Sequence, residues 1–304
     1  MDQSALVSRL GFTAVAACSA ESITYPIDII KTRLQLQGEL QGRQQASKAL
    51  GAGRLAAGIV KNEGLKGLYA GLGPAVVRHV FYSGTRITVY ESARAKIAAA
   101  GGGSSTSGSI ATSLLLGLMA GGVGQLVAVP ADLVKVRMQA DGRLVAMGQL
   151  AAPRYRGMLD ALRKITAADG VVGLWRGSMP AVQRAALVNL GELATYDQAK
   201  RLVLASGVCS DGPVAHAASS VCSGLAAAAV STPADVIKTR IMNQDPTNRL
   251  YKGMIDCFAQ SVKAEGLPAM WKGFFPTWAR LAPWQLTFWV TYEKMRSLAG
   301  MASF

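Results

Sequence analysis

A proline-headed segment occurs three times in this chain at nearly constant spacing. Pro26-Ile-Asp28-Ile-Ile-Lys31-Thr-Arg33 returns as Pro130-Ala-Asp132-Leu-Val-Lys135-Val-Arg137 and as Pro233-Ala-Asp235-Val-Ile-Lys238-Thr-Arg240, spaced by 104 and 103 residues. Three further elements follow each copy in the same order. The first is Glu63-Gly64, Asp169-Gly170 and Glu265-Gly266. The second is Gly67-Leu-Tyr69-Ala-Gly71, Gly173-Leu-Trp175-Arg-Gly177 and Met270-Trp271-Lys-Gly273. The third is Tyr90-Glu91-Ser-Ala-Arg94, Tyr196-Asp197-Gln-Ala-Lys200 and Tyr292-Glu293-Lys-Met-Arg296. A period this long, carried by four ordered elements, excludes a random succession of helices. It predicts one domain over 1–304 made of three repeats, at about 1–103, 104–206 and 207–304.

Composition says where such repeats fold. Half of the residues are hydrophobic, 16% are charged, mean hydropathy is +0.25 and 33 residues are glycine. Small residues crowd the apolar stretches, as close helix packing in lipid requires. Two windows, Gly102 to Ala131 and Gly212 to Ala234, contain no Asp, Glu, Lys or Arg. Each is long enough to cross a bilayer, which takes about 20 mostly apolar residues. The other apolar windows carry single charges, as expected of helices lining a polar path.

The net charge of +14 invites a nucleic-acid reading, but the cations lie in the wrong places for one. Lys31 to Lys66 holds seven Lys or Arg against two acids, Lys135 to Arg176 eight against three, and Lys238 to Lys272 six against three. Three basic loops on one side of a membrane suit an anionic lipid surface. No nucleic-acid motif or aromatic-basic interleaving accompanies them. Cys18, Cys209, Cys222 and Cys257 form no CxxC and no spacing with histidine, so neither a metal site nor a disulfide framework is read. No nucleophile–base pair or phosphate loop points to an enzyme, and no cofactor is expected. The first residues carry an early acid and only Arg9 as a cation, so any targeting signal is expected to be internal.

The tripled Pro-x-Asp-x-x-Lys-x-Arg motif, with the closing Tyr-Asp/Glu-x-x-Lys/Arg, resembles the signature of the mitochondrial carrier family over essentially the whole chain. Arg78-His-Val-Phe-Tyr-Ser-Gly-Thr-Arg86, Val188-Asn-Leu-Gly-Glu192-Leu-Ala-Thr-Tyr196-Asp and Phe274-Phe-Pro-Thr-Trp-Ala-Arg280-Leu-Ala-Pro-Trp284 are similar to its uncoupling-protein branch, plant members included. The resemblance implies an all-α membrane protein with six transmembrane helices in pseudo-threefold symmetry. Three short surface helices would face the matrix, and both termini the intermembrane space of the mitochondrial inner membrane. Long helices are then expected at roughly 8–36, 73–97, 109–140, 178–204, 213–243 and 274–298, and surface helices near 52–62, 157–167 and 253–263. A functional monomer is expected, with an anionic lipid such as cardiolipin on the matrix side.

Each signature proline removes a backbone donor and is expected to kink its helix. Asp28 and Lys31, Asp132 and Lys135, and Asp235 and Lys238 each stand three residues apart on one helix face. The resemblance implies the pairs Asp28–Lys135, Asp132–Lys238 and Asp235–Lys31, forming a matrix gate. It also implies glutamine braces below them at Gln35 and Gln139, with Met242 where a third would stand. The closing motifs supply a cytoplasmic gate from Glu91, Asp197 and Glu293 with Arg94, Lys200 and Arg296. Tyr90, Tyr196 and Tyr292 would brace it.

Twelve residues before each closing tyrosine stands an arginine: Arg78, Arg184 and Arg280. At 1.5 Å per residue they lie about 18 Å from the tyrosines, near mid-membrane. Arginine there is costly, suits bidentate capture of carboxylate or phosphate, and matches the family's substrate contact points. The layers beside it add Trp284, Arg86 and Glu192, and helix one adds Glu21. Four arginines against two glutamates leave +2, which fits a small dianion. Arg86 has a structural alternative, pairing with Glu21 or Glu91. Glu192 could be a passive counter-ion to Arg184, Trp284 could serve packing, and a core or interface role is expected for His79. The expected activity is transport of a small anion (a C4 dicarboxylate or acidic amino acid, with phosphate or sulfate as the alternative), a regulated proton leak, or both. By the same resemblance, purine nucleotides would plug the cavity as inhibitors.

Overall fold

A computed structural model describes residues 3–38, 51–100, 110–146, 148, 150–205, 213–244 and 250–299. Every regular element among them is helical. The six long helices are α1 (Gln3–Gln35), α3 (Leu72–Ala100), α4 (Ile110–Ala146), α6 (Ser178–Ala205), α7 (Pro213–Asn243) and α9 (Phe274–Leu298). The three short ones are α2 (Ala52–Gly67), α5 (Met158–Asp169) and α8 (Met254–Glu265). The expected order is therefore observed. Helix α4 runs six residues beyond the end expected at 140, because Asp141 and Arg143 are not expelled to a loop. Asp141 caps the Arg154 and Tyr155 amides, and Arg143 donates to the Leu36 carbonyl.

The long helices close on themselves. Helices α3 and α4, α6 and α7, and α9 and α1 pack as neighbours, and α1, α4 and α7 meet one another inside. Small residues permit the close approach. A Cβ on Gly124 would stand 3.1 Å from the Tyr82 carbonyl oxygen, and one on Gly191 2.8 Å from Ala227 Cα. Two stretches, Leu115–Val145 and Ser219–Asn243, are long and apolar enough to cross a membrane.

Two glycines recur because the chain must reverse twice in each unit. Gly64, Gly170 and Gly266 have φ of 69°, 71° and 82° with ψ of −176°, 177° and 165°, a region essentially closed to residues with a Cβ. They turn each short helix toward the next long one, in the second and third units through 3-10 turns at Val171–Trp175 and Leu267–Trp271. Gly71, Gly177 and Gly273 (φ 87°, 84° and 86°) then open α3, α6 and α9.

Each signature proline lies within its helix. Its missing amide strands the carbonyl four residues earlier. The Trp175 indole N–H donates to the Leu126 carbonyl (3.0 Å) and that of Trp271 to the Ala229 carbonyl (2.9 Å). These are the two acceptors that Pro130 and Pro233 leave bare. The first unit has Tyr69 there, which stacks on Tyr25 instead.

The last arginine of each signature is almost wholly buried: Arg33, Arg137 and Arg240 are 2%, 1% and 0% exposed. Each meets the acid of its own unit's Glu/Asp-Gly element. Arg33 Nη2 lies 2.7 Å from Glu63 Oε2, Arg137 Nη2 3.5 Å from Asp169 Oδ2, and Arg240 Nη1 2.8 Å from Glu265 Oε1. Arg137 also donates to the carbonyls of Met242 and Gln244, and Arg240 to those of Gln35 and Gln37. Those carbonyls end α7 and α1, where helices lack internal donors. In the second and third units one guanidinium thus ties a short helix, its own long helix and the end of another.

Candidate functional site

The three signature acids and lysines meet where α1, α4 and α7 converge. Lys31 Nζ lies 2.7 Å from Asp235 Oδ2, Lys135 Nζ 2.7 Å from Asp28 Oδ2, and Lys238 Nζ 2.6 Å from Asp132 Oδ2. Each lysine reaches the acid of another unit, and the acids are 4–5% exposed. These pairs are not solvated surface contacts. Removing one partner would strand a nearly buried charge on the cavity wall.

Below the ring, the glutamine positions differ. Gln139 Nε2 donates to the Tyr25 hydroxyl (3.0 Å) and to Asp28 Oδ2 (3.3 Å), and the Tyr25 hydroxyl donates to the Ala70 carbonyl (2.8 Å). Gln35 accepts from the Thr239 hydroxyl (2.9 Å), while its own amide nitrogen finds no partner. Met242 occupies the third place, fully buried, and a Cβ on Gly177 would stand 2.8 Å from its Cγ. Thus Gln139 touches the ion ring directly, Gln35 reaches the neighbouring helix, and Met242 only fills space.

The three arginines come together on the ring. Arg78 Nε lies 3.4 Å from Asp132 Oδ1, Arg184 pairs with Asp235, and Arg280 pairs with Asp28. Every signature acid is therefore shared between one lysine and one arginine of α3, α6 or α9. All nine charged groups line one cavity of about 200 Å³, together with Trp284.

Glu21 lies behind that wall. It is 0% exposed and bonds three groups. Lys135 Nζ is 3.0 Å from Oε1, while Arg280 Nη2 (2.7 Å) and His79 Nε2 (2.8 Å) both reach Oε2. Its counterparts in the other units are Gln125, which donates to Asp132 Oδ2 (2.9 Å), and Ala228. Six lysines and arginines against four carboxylates leave +2, with the histidine neutral.

Several residues take places other than those expected. Arg86 is exposed, its guanidinium lies 6.0 Å from the Tyr82 ring centroid, and it does not line the cavity. Among the described residues it pairs with neither Glu21 nor Glu91, and its Cβ packs beside Gly124 of α4. His79, one residue from Arg78, faces the site: it bonds Glu21 and stacks on Trp284 at 5.8 Å. Trp284 in turn begins a column with Phe288 and Tyr292, at 5.3 and 6.0 Å. Adjacency in sequence suggested a different helix face, and only the stacking partner on α9 reveals the real one. The Arg33, Arg137 and Arg240 ties were also missed, although the matching recurrence of Arg and Glu/Asp-Gly was their signal.

At the other end of the molecule lie the closing motifs. Tyr90, Glu91 and Tyr292 are half-buried, Arg94 and Glu293 exposed. Among the described residues no ion pair joins Glu91 to Lys200 or Glu293 to Arg94. The side chains of Glu192, Tyr196 and Asp197 lie outside the described residues.

Three units of one helical plan, closed around a charged interior, define a class before any comparison is made. The chain belongs to the mitochondrial carrier family. That family, described as "Mitochondrial carrier protein", matches residues 2–100, 106–207 and 210–302, one stretch per unit. The chain is 50% identical over 297 residues to mitochondrial uncoupling protein 3 of Arabidopsis thaliana, covering 98% of this chain and 96% of that protein. It is 37% identical to mitochondrial uncoupling protein 5 of Arabidopsis thaliana (93% and 94% covered). It is 36% identical to kidney mitochondrial carrier protein 1 of Xenopus laevis (94% and 96% covered). At this level the chain is a transporter rather than an enzyme.

Proposed function

We propose that this protein carries small anions, C4 dicarboxylates or acidic amino acids, across the mitochondrial inner membrane by alternating access. One observation carries the reading: Arg78, Arg184 and Arg280 converge in a cavity whose charges, with Glu21 behind its wall, sum to +2, each on an acid of the ion ring. A dianion entering the cavity competes with Asp28, Asp132 and Asp235 for those guanidiniums. Each arginine it draws away leaves a ring acid with its lysine alone, so binding loosens the ring that closes the matrix side. The substrate supplies the differential affinity that a change of state requires. Glu91, Asp197 and Glu293 with Arg94, Lys200 and Arg296 form the opposing gate, braced by Tyr90, Tyr196 and Tyr292.

In this reading the six long helices cross the membrane as a monomer with pseudo-threefold symmetry, both termini in the intermembrane space. The three short helices lie on the matrix face, where anionic lipid such as cardiolipin binds. Purine nucleotides, as larger anions for the same arginines, inhibit. Arg86, which does not line the cavity, belongs to its outer approach.

A regulated proton leak is the second reading. It is favoured by Glu21, a carboxylate buried beside the path, and by relatives named uncoupling proteins. Liposomes carrying the purified protein and an internal pH dye separate the two when offered labelled malate, aspartate, glutamate, sulfate and phosphate. Saturable uptake of malate or an acidic amino acid that depends on internal anion is expected. Acidification without anion uptake, blocked by purine nucleotide, would replace this reading with the leak. Uptake of sulfate or phosphate alone would change the substrate class.

A further inference from the structure

His79 Nε2 has two neighbours that make opposite demands on it. Arg78 Nη2 lies 2.7 Å away and Glu21 Oε2 2.8 Å away. A guanidinium only donates, so its contact needs a lone pair on the nitrogen. An ionised carboxylate only accepts, so its contact needs an N–H at the same place. One nitrogen satisfies one of them at a time. The ring cannot turn away to escape the conflict, since it is 7% exposed and stacked on Trp284.

We infer that His79 is a proton-binding site linked to the anion site, its proton releasing Arg78 from the histidine to the transported anion. The inference rests on the anion reading above and names its coupling ion. Without the proton, Nε2 accepts from Arg78 and holds that guanidinium at the wall. With a proton taken from cavity water, Nε2–H donates to Glu21, and the imidazolium repels Arg78. Arg78 then keeps only its longer contact to Asp132 (3.4 Å) and is the arginine least held by the ring. No bond other than the N–H forms, and one positive charge enters the site with the anion.

The surroundings suit one proton at a time. Helix α1 presents Glu21, Asp28 and Cys18, α4 presents Lys135 and Asp132, and α9 presents Arg280; on α3 itself the neighbour is Arg78. Glu21 already has Lys135 and Arg280, so it stays compensated whether or not His79 is charged. The other units lack this device. Gln183 and Arg184, and Ala279 and Arg280, place no imidazole beside the arginine, and the residues after those arginines are Ala185 and Leu281. One site per molecule predicts one proton per cycle.

The test is uptake of labelled malate and sulfate into liposomes between acid and neutral external pH. A single coupled proton changes apparent affinity by at most about tenfold per pH unit. Wild-type KM is expected to fall toward that limit as pH falls, and the dependence to vanish in His79→Gln. A second measurement needs no variant at His79. The chain has two histidines, His79 and His216, so histidine-labelled His216→Gln protein gives one imidazole signal by NMR. At fixed pH, adding the transported anion should bring both ring nitrogens to N–H resonances, as only the imidazolium does and a shift between neutral tautomers does not. An unmoved signal with an anion that is taken up would overturn the assignment. So would pH-dependent uptake that persists in His79→Gln but is lost in Glu21→Gln, which places the proton on the carboxylate. Absence of any anion uptake by the wild type would instead sink the anion reading, and this inference with it.

Discussion

The two ends of the molecule carry the same kind of charge in opposite conditions. At the α1–α4–α7 end, three acids and three lysines are paired at 2.6–2.7 Å and nearly sealed from solvent. At the other end, Glu293 and Arg94 are exposed, and among the described residues no pair joins Glu91 to Lys200 or Glu293 to Arg94. A buried ion pair and a solvated one differ in what breaking them costs: the first strands a charge without water, the second returns it to water. The inner ring is the one that the described residues show closed.

The largest effect is expected inside that ring. Arg184→Ala removes the guanidinium on Asp235 and one of three anion ligands. Loss of a buried charged partner costs about 2–5 kcal/mol, so uptake should fall by at least about thirtyfold while the protein remains folded. Undiminished uptake would remove the arginine layer from the anion path.

Next comes a paired test of the two ends. Asp132→Asn leaves Lys238 and Arg78 facing a neutral amide on the cavity wall and should destabilise by about 3 kcal/mol. Glu293→Gln, at an exposed position, should change stability by less than about 0.5 kcal/mol. Thermal melts of both proteins in detergent decide it. Equal losses would mean that the two rings are energetically alike and that the contrast drawn from their burial is wrong.

A smaller effect tests how the prolines are tolerated. Trp175→Phe keeps the aromatic bulk and deletes the donor to the Leu126 carbonyl. With Pro130 unable to supply an amide, that carbonyl is left bare, at a cost of about 1 kcal/mol or more. Tyr69→Phe in the first unit should do less, because Tyr69 meets Tyr25 by ring contact. Equal melts for Trp175→Phe and wild type would show that the carbonyl finds another donor.

Recurrence made most of this legible in the sequence. The helix order and the signature acids and lysines follow from elements that appear three times, while which acid meets which lysine was implied by the family resemblance. What recurrence could not supply was anything present once. Glu21 and His79 have no carboxylate or imidazole at the matching places of the other units, so nothing in the spacing indicated that their side chains meet across 58 residues. Arg86 is a different case: eight residues on from Arg78, about 12 Å along the helix, it stands beyond the described cavity wall. The burial of Arg33, Arg137 and Arg240 was illegible for a different reason: signature cations beside a basic loop look solvated until the acids of the short helices close over them.

The smallest effect bears on why the inner ring opens at all. Gln139 and Gln35 lie below it in two units, whereas Met242 in the third fills its place without a hydrogen bond to the ring. Met242→Gln offers an amide of similar length beside Lys238 and Asp132, the pair that stands where Lys135 and Asp28 stand above Gln139. One net hydrogen bond is worth about 1 kcal/mol, so the melting temperature should rise by a few degrees and anion exchange should slow. The gain is small because Gly177 already packs against the methionine, and a polar tip must fit the same space. A rise in stability with slower exchange would identify the unbraced unit as the place where the ring parts first. A fall in stability would mean that the methionine is there for packing and that the asymmetry has no part in opening.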